Sequence, residues 1–167
     1  MIVVASTSPI YYLVLIGEID VFPQLFGKAI APQAVWDELN AEGAPVQLQN
    51  WIAQPPSWLE IQSVVNEPDA MLERLYAGER EAIVLAEQLG ADLLVLDGNV
   101  ARQIAVARGF KVTSLLGLLD EAATQGFIDL PTAIDRLQRT TFRASPSLLK
   151  SLLERHPEIN SQADTET

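Results

Sequence analysis

Cysteine is absent from this 167-residue chain, and histidine occurs once, at His156. The missing thiols exclude disulfide bonds and thiolate metal sites, and a lone histidine, predicted to be a surface residue, argues against a Ser-His-Asp system. Neither GxGxxG nor GxxxxGK[ST] occurs, so nothing supports dinucleotide or P-loop binding. Carboxylates are therefore the first candidates for chemistry.

Long apolar runs are also missing. The stretch Ile10 to Ile16, near the N-terminus, is too short to span a bilayer, and no basic region precedes it as in a signal peptide. With 49% hydrophobic residues the chain is long enough to bury one core. We expect a single-domain, soluble, cytoplasmic protein.

Positive charge is scarce and unevenly placed. The net charge is −11, which disfavours general affinity for nucleic acids. Residues 1–101 hold 3 basic and 14 acidic side chains, whereas residues 102–155 hold 8 and 5. This distribution is compatible with a cleft that has metal on one side and phosphate on the other. The alternative is that the basic side chains only solvate helix surfaces.

Short β-branched runs alternate with helical patterns, which predicts an α/β fold with a mostly parallel sheet and helices on both faces. The predicted strands are 2–5, 28–30, 58–65 at an edge, 92–96 and 110–113. The predicted helices are 8–17, 33–40, 46–53, 70–76, 79–89, 99–108, 114–125, 131–140 and 146–155. We expect residues 1–155 to form one domain, with helices 114–155 packed on it, and 156–167 to be a disordered tail.

Four positions follow strand ends or helix starts where side chains could meet. Ligands bind beyond the carboxyl ends of strands in such sheets, where Ser6 and Asp97 lie. Glu38 lies in the helix after the second strand, and Glu79 or Glu81 opens a later helix. Oxygen ligands without histidine or cysteine favour Mg²⁺ or Mn²⁺ over zinc.

Each position also has an ordinary structural explanation. Asp97 could form a turn or helix cap, Glu79 and Glu81 could be first-turn acids favoured by the helix dipole, and Glu38 alone could be a solvated helix residue. Aromatic side chains are predicted to pack in the core rather than to stack on bases; they are Tyr11, Tyr12, Trp36, Trp51 and Trp58.

Five segments, in order along residues 1–155, carry a resemblance to a known family. They are Val3-Val4-Ala5-Ser6-Thr7-Ser8-Pro9-Ile10, Ala31-Pro32-Gln33-Ala34-Val35-Trp36-Asp37-Glu38-Leu39, Gly78-Glu79-Arg80-Glu81-Ala82-Ile83, Leu93-Leu94-Val95-Leu96-Asp97 with Ala101-Arg102, and Val112-Thr113-Ser114-Leu115-Leu116-Gly117-Leu118-Leu119. The chain resembles PIN-domain proteins, from the branch of bacterial and archaeal toxin components of toxin–antitoxin pairs.

The resemblance implies a PIN-like three-layer α/β/α fold and a Mg²⁺- or Mn²⁺-dependent endoribonuclease acting on single-stranded RNA. The implied site comprises Ser6, Glu38, Glu79 and Asp97, with Glu81 as a rival metal ligand to Glu79. Two positions depart from the family pattern: Ser6 stands where the first-strand aspartate is expected, and Gly98 where a second aspartate often follows Asp97. Because a hydroxyl carries no charge, Ser6 predicts an impaired metal site.

The resemblance also implies partners, namely an antitoxin protein and a second copy of the chain in a homodimer. A rival hypothesis keeps the fold without catalysis. In it, the acidic cleft binds a basic segment of a protein partner, and Ser6 is the residue that favours this alternative.

Overall fold

The computed structural model describes residues 1–157, in which five strands form one sheet in the order β3-β2-β1-β4-β5, with every neighbouring pair parallel. The strands are β1 (Val3–Ala5), β2 (Ala29–Pro32), β3 (Leu59–Gln62), β4 (Leu93–Val95) and β5 (Val112–Thr113). The predicted edge position of the third strand is thus observed. Parallel pairing brings the carboxyl ends of all five strands to one edge of the sheet.

Helices connect the strands and follow the last one. They are α1 (Thr7–Leu15), α2 (Val21–Phe26), α3 (Gln33–Leu39), α4 (Val46–Ala53), α5 (Ala77–Leu89), α6 (Asn99–Ala107), α7 (Leu115–Thr124), α8 (Leu130–Gln138) and α9 (Pro146–Glu154). The six-residue α2 is not predicted by the pattern, because so short a helix shows less than two turns of periodicity.

The predicted helix at 70–76 is wrong, since only one 3₁₀ turn forms there, at Leu72–Arg74. The carboxylate of Asp69 accepts hydrogen bonds from the amides of Met71 and Leu72, which favours a tight turn over a continuing helix. The same carboxylate pairs with Arg108 at 2.6 Å, which fixes the turn against α6.

Alternate side chains of the central strands face two separate cores, which makes the architecture a three-layer α/β/α fold as predicted. Val3 and Ala5 pack on the side that contains α1 and α7, whereas Val4 packs on the side of α5 and α6. All three side chains are at most 1% exposed. Burial on both faces explains why these strands are continuously apolar.

The C-terminal helices share the first of these cores. Their contributing side chains are Leu115, Leu118, Leu119, Ala122, Ala123, Leu130, Ala133, Ile134, Leu137, Leu149 and Leu152. None of the helices in the described part of the chain is long and apolar enough to cross a membrane.

The chain end differs in part from the prediction. His156 is no surface residue: its side chain is only 11% exposed, and its Nε2 lies 2.7 Å from Oδ1 of Asp120 on α7. Of the predicted disordered tail, residues 158–167 lie outside the described residues.

Candidate active site

One large cavity, of about 920 Å³, opens at the carboxyl edge of the sheet. Ser6, Glu38, Glu79 and Asp97 all line it, although they come from four different parts of the chain. Because parallel strands end at the same edge, residues that follow β1 and β4 meet helices α3 and α5 there. The fold therefore brings these predicted site residues to one place.

Ser6 is buried and directed toward the sheet. It is 1% exposed, and both its amide and its Oγ donate to the carbonyl oxygen of Val95, each at 3.0 Å. The residue occupies the N-cap position of α1 without a side-chain capping bond. Its hydroxyl thus completes the pairing of β1 with β4, while the residue still lines the cavity.

Asp97 is held by two donors from different elements. Its Oδ1 accepts from the amide of Leu115, the first residue of α7, at 2.8 Å, and its Oδ2 accepts from Oγ of Ser8 at 3.1 Å. The pattern predicts that α1 begins at Ser8 and Pro9. This boundary is wrong, because the helix begins at Thr7. The Ser8 side chain consequently orients Asp97 rather than capping its own helix.

The carboxylate of Glu38 is also held by two donors from different elements. Oε1 accepts a short hydrogen bond from Oγ1 of Thr7, and Oε2 accepts from the amide of Gly78 at 3.4 Å. A β-carbon at position 78 would overlap the Glu38 carboxylate. Gly78 therefore permits this acid to approach the N-terminus of α5 closely.

Glu79 lies against Gly98, which stands where a second aspartate often follows in the family pattern. The amide of Gly98 lies close enough to the Glu79 carboxylate to lower its pKa. A β-carbon at position 98 would overlap that carboxylate. The structure thus gives a physical reason for glycine here, because an aspartate would displace Glu79.

Glu81 is placed differently from its rival Glu79. Its Oε1 accepts from the amide of Ala34, near the N-terminus of α3, at 3.2 Å. It is not among the residues that line the cavity. The geometry accordingly favours Glu79 as the candidate ligand and gives Glu81 a structural contact between α5 and α3.

The cavity is electrostatically unfavourable for its own carboxylates. Burial raises the pKa of Glu79 above its ordinary value, and repulsion by Glu38 and Asp97 raises it further, against the lowering effect of the Gly98 hydrogen bond. Burial also raises the pKa of Asp97, while hydrogen bonds from Leu115 and Ser8 and the nearby positive charge of Arg102 oppose the shift. A bound cation would relieve both costs.

Three basic side chains also line the cavity: Arg102, Arg143 and Arg155. Arg102 follows Asp97 by five residues on α6, and its Nε is buried without a hydrogen-bond partner among the described residues. Arg155 pairs with Asp120 at 3.0 Å. Acids and guanidinium groups on one cavity are an arrangement that suits a phosphate bound beside a cation.

The donors around the cavity form only part of a complete site for the divalent metal that the resemblance implies. Among residues 1–157, no group of three acidic or histidine side chains is arranged to hold a metal ion by protein ligands alone. Mg²⁺, however, is usually bound by one or two carboxylates, with water and substrate phosphates completing its octahedron. Asp97 and Glu79 repel one another, and together they can supply the two carboxylates of such a site.

The orienting groups Thr7, Ser8, Gly78 and Gly98 are not identified as site residues by sequence reasoning. A signal was present in the run of three hydroxyl side chains, Ser6-Thr7-Ser8, directly after a buried strand. Two of those hydroxyls bind the two acids Glu38 and Asp97. Gly78 directly precedes Glu79, and Gly98 directly follows Asp97. A glycine beside a predicted acid indicates a position where another side chain can approach the backbone closely.

Comparison with known proteins agrees with this architecture. A family model described as a PIN domain matches residues 2–158. No curated protein matches significantly, and neither does any solved structure. The match covers almost the whole chain, and the chain belongs to the PIN-domain family.

Proposed function

We propose that this chain is a divalent-metal-dependent endoribonuclease of the PIN type, with a metal site weakened by Ser6. One observation carries the proposal: the three predicted carboxylates, Glu38, Glu79 and Asp97, line a single cavity together with three arginines at the carboxyl edge of the sheet. Carboxylates bind a hard cation, and guanidinium groups bind the phosphate that the cation activates.

The donor set favours Mg²⁺ or Mn²⁺ over softer metals, since it contains only carboxylate and hydroxyl oxygens. Asp97 and Glu79 would hold the ion, with Glu38 adding negative charge from α3. When bound, a divalent ion polarises phosphate oxygens and lowers the pKa of water. Serine at position 6 removes one anionic ligand, so we expect weaker metal binding than an aspartate would give.

The protein's own side chains orient the acids and bind the substrate phosphate. Thr7 and Ser8 hold Glu38 and Asp97 in fixed orientations, which reduces the reorganisation needed when a substrate arrives. Arg102 lies close enough to lower the pKa of Asp97 and can also pair with a substrate phosphate in the cavity. The role as a toxin, the antitoxin partner and the homodimer stay predictions that rest on resemblance.

A second candidate function is a binding module that accepts a basic segment of a protein partner. The uncharged Ser6 at the expected aspartate position favours this function. So does the finding that no group of three acidic or histidine side chains among residues 1–157 is arranged to hold a metal ion. The three arginines in the cavity disfavour it, because they would repel a basic peptide.

The test compares two aspartates at opposite ends of β4. Asp97→Asn changes the cavity, whereas Asp92→Asn changes an acid that accepts from the Ile2 amide at the other edge. We expect Mn²⁺-dependent cleavage of a single-stranded RNA by the unmodified chain and by Asp92→Asn, and a loss of at least about 100-fold in Asp97→Asn.

Cleavage that survives in Asp97→Asn, or that needs no metal, would contradict the proposal. No cleavage by the unmodified chain, combined with tight binding of an arginine-rich peptide that Asp97→Asn abolishes, would favour the binding module instead.

A further inference from the structure

The cavity extends well past the carboxylates. Its volume of about 920 Å³ is near the upper end of the roughly 300–1,000 Å³ of small-molecule sites, and a metal-bound phosphate would fill only part of it. The wall away from the acids is formed by α1, the segment before α9, and α9 itself. Its apolar side chains include Tyr11, Tyr12, Phe142, Leu148 and Leu152.

Tyr11, Tyr12 and Phe142 pack against the first core, as predicted for the two tyrosines, but each is partly exposed and lines the cavity. Tyr12 meets Tyr11 edge-on at 4.9 Å between ring centroids and meets Phe142 edge-on at 5.1 Å. The hydroxyl of Tyr12 lies 2.8 Å from Oγ1 of Thr141, which ties α1 to the segment that carries Phe142. A preformed aromatic surface can bind a planar group with little loss of side-chain entropy.

Charge along the cavity differs from charge over the whole protein. Three of the 11 basic residues line the cavity, but only four of the 22 acidic ones do. One of those four, Asp120, is already paired with Arg155 and His156. Arg143 is exposed and has no salt-bridge partner within residues 1–157.

We propose that the aromatic wall is a subsite for one unstacked base of single-stranded RNA, with Arg143 on an adjoining phosphate. This inference rests on the proposed function and names the part of the substrate that the second half of the cavity binds. Tyr11 and Phe142 contact the base, and the half-exposed Leu148, at 51% exposure, contacts its edge. A base inside a duplex cannot reach these side chains, so double-stranded RNA is excluded.

The experiment measures binding of a labelled single-stranded RNA hexamer and of six derivatives, each with one abasic nucleotide. Stacking on an aromatic side chain is worth about 1–3 kcal/mol per base, or roughly 5- to 150-fold in affinity. We expect one abasic position to weaken binding by that factor and the others to change it little. Phe142→Ala should remove most of this difference between positions.

Arg143→Ala tests the phosphate contact in a side chain whose loss does not threaten the core. It should weaken the binding of every hexamer by a similar factor and reduce the slope of log affinity against log salt by about 1. Lys150→Ala is the matched control, because Lys150 is exposed on α9 but does not line the cavity. Lys150→Ala should change neither the hexamer affinity nor the salt slope.

Equal affinity for all seven hexamers would overturn the subsite, and so would an unchanged abasic pattern in a folded Phe142→Ala variant. If metal-dependent cleavage persists in that case, the proposed hydrolysis stands without the subsite. An abasic pattern without any cleavage would leave the subsite standing and remove the hydrolysis. Binding of an arginine-rich peptide but of no hexamer would overturn both.

Discussion

Glu79 carries a carboxylate that the fold holds between two others of the same charge. Burial and repulsion by Glu38 and Asp97 raise its pKa, and the hydrogen bond from Gly98 offsets only part of this. A carboxyl group whose pKa is higher in the folded state than in the unfolded chain binds protons preferentially when folded. Its contribution to stability is therefore present below the unfolded pKa and is lost as the pH rises through the folded value.

We predict that Glu79→Gln stabilises the metal-free protein at pH 7, because it removes the charge and keeps the shape. The expected gain is about 2–4 °C in Tm, which corresponds to roughly 1 kcal/mol for a chain of this size after solvent screening. At pH 4, below the ordinary value of 4.5 for glutamate, the gain should disappear. Thermal melts at both pH values in the presence of a chelator measure it.

Glu81→Gln is the matched control for this prediction. Glu81 lies two residues away on the same helix, outside the cavity, and its contact with the Ala34 amide can be kept by glutamine. We expect no comparable rise in Tm. A gain in Glu81→Gln as large as in Glu79→Gln, or a gain in Glu79→Gln that is equal at pH 4 and pH 7, would show that repulsion in the cavity is not its cause.

The places of Glu38, Glu79 and Asp97 could be predicted from the strands and helices that carry or precede them, but their hydrogen bonds could not, and the fourth cavity acid, Asp120, is not predicted. Ser8 illustrates the limit, because serine before proline is a normal helix start. The helix instead begins one residue earlier, at Thr7, and the Ser8 hydroxyl donates to Asp97, 89 residues away. Only the three-dimensional structure brings two such groups together.

At the scale of elements, the N-termini of helices organise the cavity. The carboxylates of Glu38 and Asp97 accept hydrogen bonds from backbone amides at the starts of α5 and α7, and the Gly98 amide before α6 lies close enough to lower the pKa of Glu79. Each contact satisfies an amide that has no partner within its helix and places negative charge at the positive end of the dipole. The helix starts thus fix the positions of the acids, although burial and repulsion still leave the pKa of Glu79 raised and burial leaves that of Asp97 raised.

Element types were largely predictable, and the failures have local causes. The buried strands and the amphipathic helices show clear periodicity, so their existence follows from the pattern. The segment 70–76 has the composition of a helix, but Asp69 binds its own downstream amides and Arg108. A contact with a residue 39 positions away cannot be read from a local pattern.

We predict that α7 to α9 are required for folding. Deleting residues 114–167 would expose the first core, where each fully buried leucine contributes about 1.5–3 kcal/mol, so the product should be unfolded or aggregated. A chain ending at Pro157 keeps every described core residue and should melt near the temperature of the intact chain. Cooperative melting of a chain ending at Thr113 near that temperature would contradict this.

At the scale of the whole molecule, a strongly acidic protein places four of its 22 acidic side chains and three of its 11 basic ones on one cavity. The net charge of −11 opposes long-range attraction of RNA, so the proposed binding would depend on local contacts and on a bound cation. We therefore propose that the cavity is a divalent-metal site in which Ser6 takes the place of one anionic ligand.

Calorimetric titration of Mn²⁺ into the unmodified chain and into Ser6→Asp tests this claim most directly. We expect the substitution to tighten Mn²⁺ binding by about tenfold or more, or roughly 1.4 kcal/mol, and Asp97→Asn in the same chain to abolish the gain. Ser147→Asp, which adds the same charge on an exposed residue outside the cavity, should leave the affinity unchanged. Equal affinity in Ser6→Asp and the unmodified chain, or a gain that persists without Asp97, would contradict the account.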